Sequence, residues 1–142
     1  MSDAVVDASL AAMWAIPEPY SDKALTLALG WARAGTRLLA PCLLVAEVTN
    51  AIYRRVVRGE LDLTAARAAL RIVLGFSIEM REEPGISDRA MELAHRFKLS
   101  STYDCHYLAL SERYRCEFWT GDQRFHNTVK DTMPWVKWVG SA

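Results

Sequence analysis

Asp7, Glu47, Asp104 and Asp122 are the residues of this chain whose types and places could do chemistry together. Asp7 directly follows the apolar run Ala4-Val5-Val6, and Asp122 follows Phe118-Trp119-Thr120-Gly121. Aspartate is also a common turn and helix-cap residue, so neither position is diagnostic alone. Glu47 borders an apolar helical arc of Leu44, Val45, Val48, Ala51, Ile52 and Val56, in line with Asn50 and Arg54. Asp104 falls in the first turn of a later helix, on the side of Tyr107, Leu108 and Ser111. A helix N-terminus by itself favours an acid there by about 0.3–1 kcal/mol. Carboxylates brought to one place repel, so their pKa values rise or a cation joins them. Oxygen donors without cysteine or histidine suit Mg2+ or Mn2+.

Positioning these acids falls to short apolar runs that alternate with helical patterns. Strands are expected at Ala4–Val6, Leu38–Ala40, Phe76–Met80, Phe118–Thr120 and Val136–Val139. Between them the spacing predicts a helix from Ser21 and Asp22 to Arg33, closed by Gly35, and another from Cys42 to Arg58, stopped at Gly59. Thr64 is expected to cap Ala65–Leu74 ahead of Gly75, and Ser87 a helix reaching Leu99. Thr102 opens Tyr103–Arg115, and Gln123–Val129 forms a short helix. Parallel strands need crossovers of this length, which implies an α/β sheet with helices on both faces. Ligands of such sheets bind beyond the carboxyl ends of the strands, where Asp7 and Asp122 fall.

Composition bounds the alternatives. The chain has 142 residues, enough for one domain with a proper core, and no repeat or linker divides it. Its 17 basic and 17 acidic residues cancel, so whole-chain charge lends nucleic-acid binding no support and local distribution has to decide. Cys42, Cys105 and Cys116 cannot pair completely, and His95, His106 and His126 are scattered, which reads as free thiols in a reducing compartment without a zinc site. No apolar run is long enough for a membrane span, and no basic region precedes an apolar one at the N-terminus. The expectation is a soluble, cytoplasmic protein. Phosphatases with an aspartyl nucleophile carry a second Asp two residues after the first, where this chain has Ser9, and no glycine-rich phosphate loop is present.

The residues resemble the PIN-domain family, and VapC-type toxins of toxin–antitoxin pairs in particular. The resemblance rests on Val5-Val6-Asp7-Ala8-Ser9, on Glu47-Val48-Thr49-Asn50-Ala51-Ile52, and on Tyr103-Asp104-Cys105-His106-Tyr107-Leu108-Ala109-Leu110-Ser111-Glu112. Trp119-Thr120-Gly121-Asp122-Gln123-Arg124-Phe125 completes it. It implies a three-layer α/β/α sandwich over residues 1–142, with a short, mostly parallel five-stranded sheet. Asp7, Glu47, Asp104 and Asp122 then take the family's acidic positions, and Ser9, Asn50 and Thr120 the polar positions beside them. Gly121 stands where alanine is common, and Cys105 likewise.

The implied activity is hydrolysis of RNA phosphodiesters with Mg2+ or Mn2+, in a homodimer whose acidic groove an antitoxin can block. Asp7 and Asp104 are the preferred direct metal ligands. Arg54 and Arg124 are candidates for RNA phosphate contacts, while Trp14, Tyr20 and Tyr53 serve either the core and interface or base stacking. The remaining alternatives are a PIN-like module that binds RNA or protein without cutting, and an RNA-processing nuclease with no antitoxin.

Overall fold

The computed structural model describes residues 2–142. In chain order the elements are β1 (Asp3–Val6), α1 (Ala8–Ala12), α2 (Ser21–Ala34), β2 (Arg37–Ala40), α3 (Leu43–Val57) and α4 (Leu63–Leu74). They continue with β3 (Ile78–Met80), α5 (Ile86–Arg96), α6 (Tyr103–Tyr114), β4 (Glu117–Thr120), α7 (Gln123–Val129) and β5 (Val136–Trp138). A 3-10 turn over Val139–Ser141 follows.

The strands form one sheet in the order β3-β2-β1-β4-β5, and every neighbouring pair is parallel. The chain moves outward from β1 to β3, then returns to β4 on the other side of β1 and moves out to β5. Right-handed crossovers therefore put α1–α4 over one face and α5–α7 over the other. This is the three-layer α/β/α arrangement. Both faces being covered explains why Ala4, Val5 and Val6 are all buried rather than alternating in and out. Adjacent residues of β4 show the two layers. Phe118 packs on Tyr107 and Phe125, with ring centroids 5.9 and 6.0 Å away, whereas Trp119 meets Trp31 of α2 edge-on at 6.3 Å. Among the described residues no helix is long and apolar enough to cross a membrane.

Local chemistry departs from expectation at several helix starts. Ser21 is already inside α2, its hydroxyl bonding to the Ile16 carbonyl and the Glu18 N–H. α4 is capped by Asp62, which accepts from Ala65 N at 2.7 Å, and not by Thr64. Gly85, at φ 84°, begins α5 in place of Ser87, and that helix ends at Arg96, short of Leu99. α1, a segment for which no element is expected, is a short helix whose N-cap is Asp7. Val45 lies outside the buried stripe of α3, which consists of Leu44, Val48 and Ile52. Trp14 is buried, stacks on Phe76 at 4.1 Å and donates its indole N–H to the Ala24 carbonyl, so it offers no face to a base.

The cap assignment is directly testable. Asp62→Ala should destabilise the protein by about 1 kcal/mol, and Thr64→Ala should stay within about 0.5 kcal/mol, as read by urea unfolding. Equal effects would contradict the observed start of α4.

Candidate active site

In the strand order β3-β2-β1-β4-β5 the direction of winding reverses between β1 and β4. A crevice opens outside the carboxyl ends of those two strands, which is where ligands of open α/β sheets bind. The cleft there has a volume of about 320 Å³, and Asp7, Glu47, Asp104 and Asp122 all line it. Each comes from a different element, so no two are close in sequence. Ser9, Asn50, Arg54 and Tyr107 share the lining.

Asp7 is both a cap and a wall of the cleft. Its Oδ1 accepts from Leu10 N at 3.0 Å and from the Ser9 hydroxyl at 2.7 Å, while Oδ2 accepts from the Thr120 hydroxyl. Burial nevertheless dominates and pushes its pKa up to about 6. Asp122 caps α7 in the same way, its Oδ1 accepting from Phe125 N at 3.0 Å. Ser9 and Thr120 tie the two strand ends together, because the Gly121 N–H donates to Ser9 Oγ and the Asp122 N–H to Thr120 Oγ1. Gly121 is required by this closeness. A Cβ there would lie 3.0 Å from the Ser9 carbonyl carbon and 2.7 Å from the end of the Met13 side chain. That accounts for glycine where the family pattern often has alanine.

Asp104, in the first turn of α6, has its pKa pushed up to about 7, first by burial and then by the charges of Asp7, Asp122 and Glu47. The cleft therefore concentrates four carboxylates, none of which makes an ion pair among the described residues. Arg54 is exposed, lines the cleft and makes no ion pair among the described residues. Its neighbours are engaged elsewhere, Arg55 with Glu18 and Glu60 and Arg58 with Glu60. Arg124, the other candidate for a phosphate contact, is exposed on α7 and is not part of the cleft lining. His106 bonds to the Thr102 carbonyl, and neither it nor His126 lines the cleft.

Sequence reasoning passed over Tyr107 as a site residue. Its ring is fully buried, yet its hydroxyl reaches the cleft and donates to Glu47 Oε1 at 2.7 Å. Burial and the adjacent carboxylates raise its pKa strongly, so it stays a neutral donor. The signal available was its place one turn after Asp104, on the same side of α6.

A larger cavity of about 790 Å³ lies at the opposite, amino-terminal ends of β1 and β4. Two of its acids are already compensated: Asp3 pairs with Arg37 at 2.9 Å, and Glu112 with Arg89 at 2.8 Å. The Arg89 guanidinium holds the Glu112 carboxyl below its usual range. Uncompensated charge distinguishes the smaller cleft.

The donor set there suits a hard divalent cation: carboxylate oxygens from four elements, hydroxyls beside them, and no thiol or imidazole in the lining. Among the described residues no three Asp, Glu, His or Cys side chains stand close enough together to hold a metal ion as they are placed. The charges of Asp7, Asp122 and Glu47 add to burial in raising the pKa of Asp104, as expected where acids gather without a compensating cation.

The chain belongs to the PIN domain family, which residues 4–131 match. Its fold is similar to the crystal structure of PAE2754 from Pyrobaculum aerophilum, with TM-score 0.70 and 24% identity over 99% of this chain and 92% of that one. It is also similar to VapC20 of Mycobacterium tuberculosis, described as a sarcin-ricin loop cleaving toxin, with TM-score 0.65 and 19% identity over 87% of this chain and 93% of that one. At these identities the likeness is one of fold. No curated protein sequence matches the chain.

Raised carboxyl pKa values fix the sign of a pH dependence. Asp7 and Asp104 hold protons in the folded chain up to about 6 and about 7, whereas their ordinary value is 3.8. Above that value the unfolded chain binds fewer protons than the folded one, so rising pH favours unfolding until both groups are ionised. Without divalent cations, melting temperature should fall from about pH 5 to about pH 8, and excess Mg2+ should flatten the slope. A cation-free profile that is level or rises over this range would remove the electrostatic picture of the cleft.

Proposed function

We propose that this chain is a divalent-metal-dependent endoribonuclease, the toxin of a VapBC-type toxin–antitoxin pair. The observation that carries the proposal is the electrostatic convergence of Asp7, Glu47 and Asp122 on Asp104 at the carboxyl ends of β1 and β4. Membership of the PIN domain family and a fold shared with an RNA-cleaving toxin support the same reading. The continuous hydrophobic core supports taking residues 1–142 as a single PIN-like domain. Its partners are RNA, an antitoxin protein that closes the acidic cleft, and a second copy of the chain, in the cytoplasm.

Asp7 and Asp104 are the direct ligands in this proposal. Glu47 and Asp122 contribute through water or hold a second ion. A bound Mg2+ or Mn2+ supplies a lowered pKa for the attacking water and positive charge against the phosphodiester oxygens. Ser9 and Thr120 orient the Asp7 carboxylate by donating to its two oxygens. Asn50 offers a neutral amide at the rim, and Arg54 receives a backbone phosphate, a contact that positions RNA without selecting sequence.

Two substitutions test the reading. Asp104→Asn should leave the fold intact and abolish Mn2+-stimulated, EDTA-reversible cleavage of RNA. Full activity in that variant would rule out the acidic site, and Mn2+ binding by the wild type without any cleavage would favour a non-cutting PIN-like module. Arg54→Ala should weaken RNA binding irrespective of sequence and reduce the slope of log affinity against log salt by about one. An unchanged slope would remove Arg54 from the phosphate path.

A further inference from the structure

We propose that Tyr107 is a positioning residue for the acidic cleft: its hydroxyl, carried by α6 on one face of the sheet, holds Glu47 on α3 over the other, and so sets where Glu47 presents its free oxygen. The proposal rests on the metal-site reading above and deepens it.

Rigidity of the donor is the first support. The Tyr107 ring is wholly buried and lies parallel to Phe118, with centroids 5.9 Å apart and planes inclined by 12°. Its hydroxyl is thus the fixed end of a packed lever. Glu47 is only half-buried, on a helix whose adjoining Thr49 and Asn50 are exposed. Fixing a free glutamate side chain costs rotamer entropy. A preset hydrogen bond supplies that order before any ligand arrives.

The second support is the chemistry of the donor. A phenol has one hydrogen to give, and here it goes to Oε1 at 2.7 Å, leaving Oε2 unclaimed by this contact. A neutral donor also restrains the carboxylate without cancelling its charge. The acids at the opposite end of the sheet are held differently, Glu112 by both guanidinium branches of Arg89 and Asp3 by those of Arg37. In the cleft, Asp7 is held by the Ser9 and Thr120 hydroxyls and Glu47 by that of Tyr107. Such partners orient ligands while leaving their charge for a cation.

Tyr107→Phe keeps the ring and its packing and deletes only the donor. Mn2+ dissociation constants would be measured by calorimetric titration for wild type, Tyr107→Phe, Glu47→Gln and the double variant, with melting temperatures taken without metal. The expected result is an affinity about tenfold or more weaker in Tyr107→Phe, weaker binding in Glu47→Gln, and no further loss in the double variant, because Tyr107 acts through Glu47. Wild-type affinity in Tyr107→Phe, even with a lowered metal-free melting temperature, would overturn the proposal and leave a structural tie only. Losses that add in the double variant would overturn it too. Absence of Mn2+ binding by the wild type would instead overturn the metal-site reading, and this proposal with it.

Discussion

Repulsion among like charges in a partly desolvated crevice is the constraint around which this protein is organised. Left to itself, a gathering of carboxylates would disperse into solvent. Here it cannot, because each acid is fixed by an element whose position the sheet determines. Asp7 and Asp122 are held as helix caps directly after two adjacent central strands, Glu47 by a hydroxyl from across the sheet, and Asp104 by its place at the start of a helix whose body is buried. The cost appears as raised proton affinity, through burial at Asp7 and through burial and then the neighbouring charges at Asp104. The core sustains it because its stability derives from buried apolar contacts well away from the charges.

Arginines are apportioned to match. Arg37, Arg55, Arg58, Arg81, Arg89 and Arg113 all have acidic partners on the surface or at the amino-terminal end of the sheet. Arg54 alone among the cleft-lining residues is basic. A net charge of zero therefore conceals an uneven distribution: ion pairs elsewhere on the molecule, and a cleft lined by four acids and one arginine.

Much of this was legible in the residues. Every strand was located to within a residue or two by its apolar run and its turn punctuation, since short buried parallel strands leave little else to encode. The four acids that share the cleft lining are all legible as candidates, Asp7 and Asp122 because an Asp just past a strand is visible by position. Cap residues were read less well. Asp62, Thr64, Ser21 and Ser87 are all chemically able to cap, and only the path of the backbone selects among them. α1 was missed because its five residues are too few to show helical periodicity. Tyr107 was named only as a neighbour of Asp104, since its partner is 60 positions away and no local pattern links the two. Arg124 lies two positions after Asp122 in sequence, yet it is exposed on α7 and absent from the cleft lining.

The central place of β1 has a consequence for the life of the chain. β1 precedes β2 and β3 in the chain, yet one of its two sheet neighbours is β4, and the hydroxyl that clasps the Asp7 carboxylate belongs to a residue 113 positions further on. A nascent or truncated polypeptide that lacks the last fifth of the chain can pair β1 with β2 but has no second wall for the crevice. Contacts that span so much sequence close late and slowly. The cleft is therefore a product of long-range pairing: any opening that detaches β4 from β1 takes Thr120 and Asp122 away from Asp7 together.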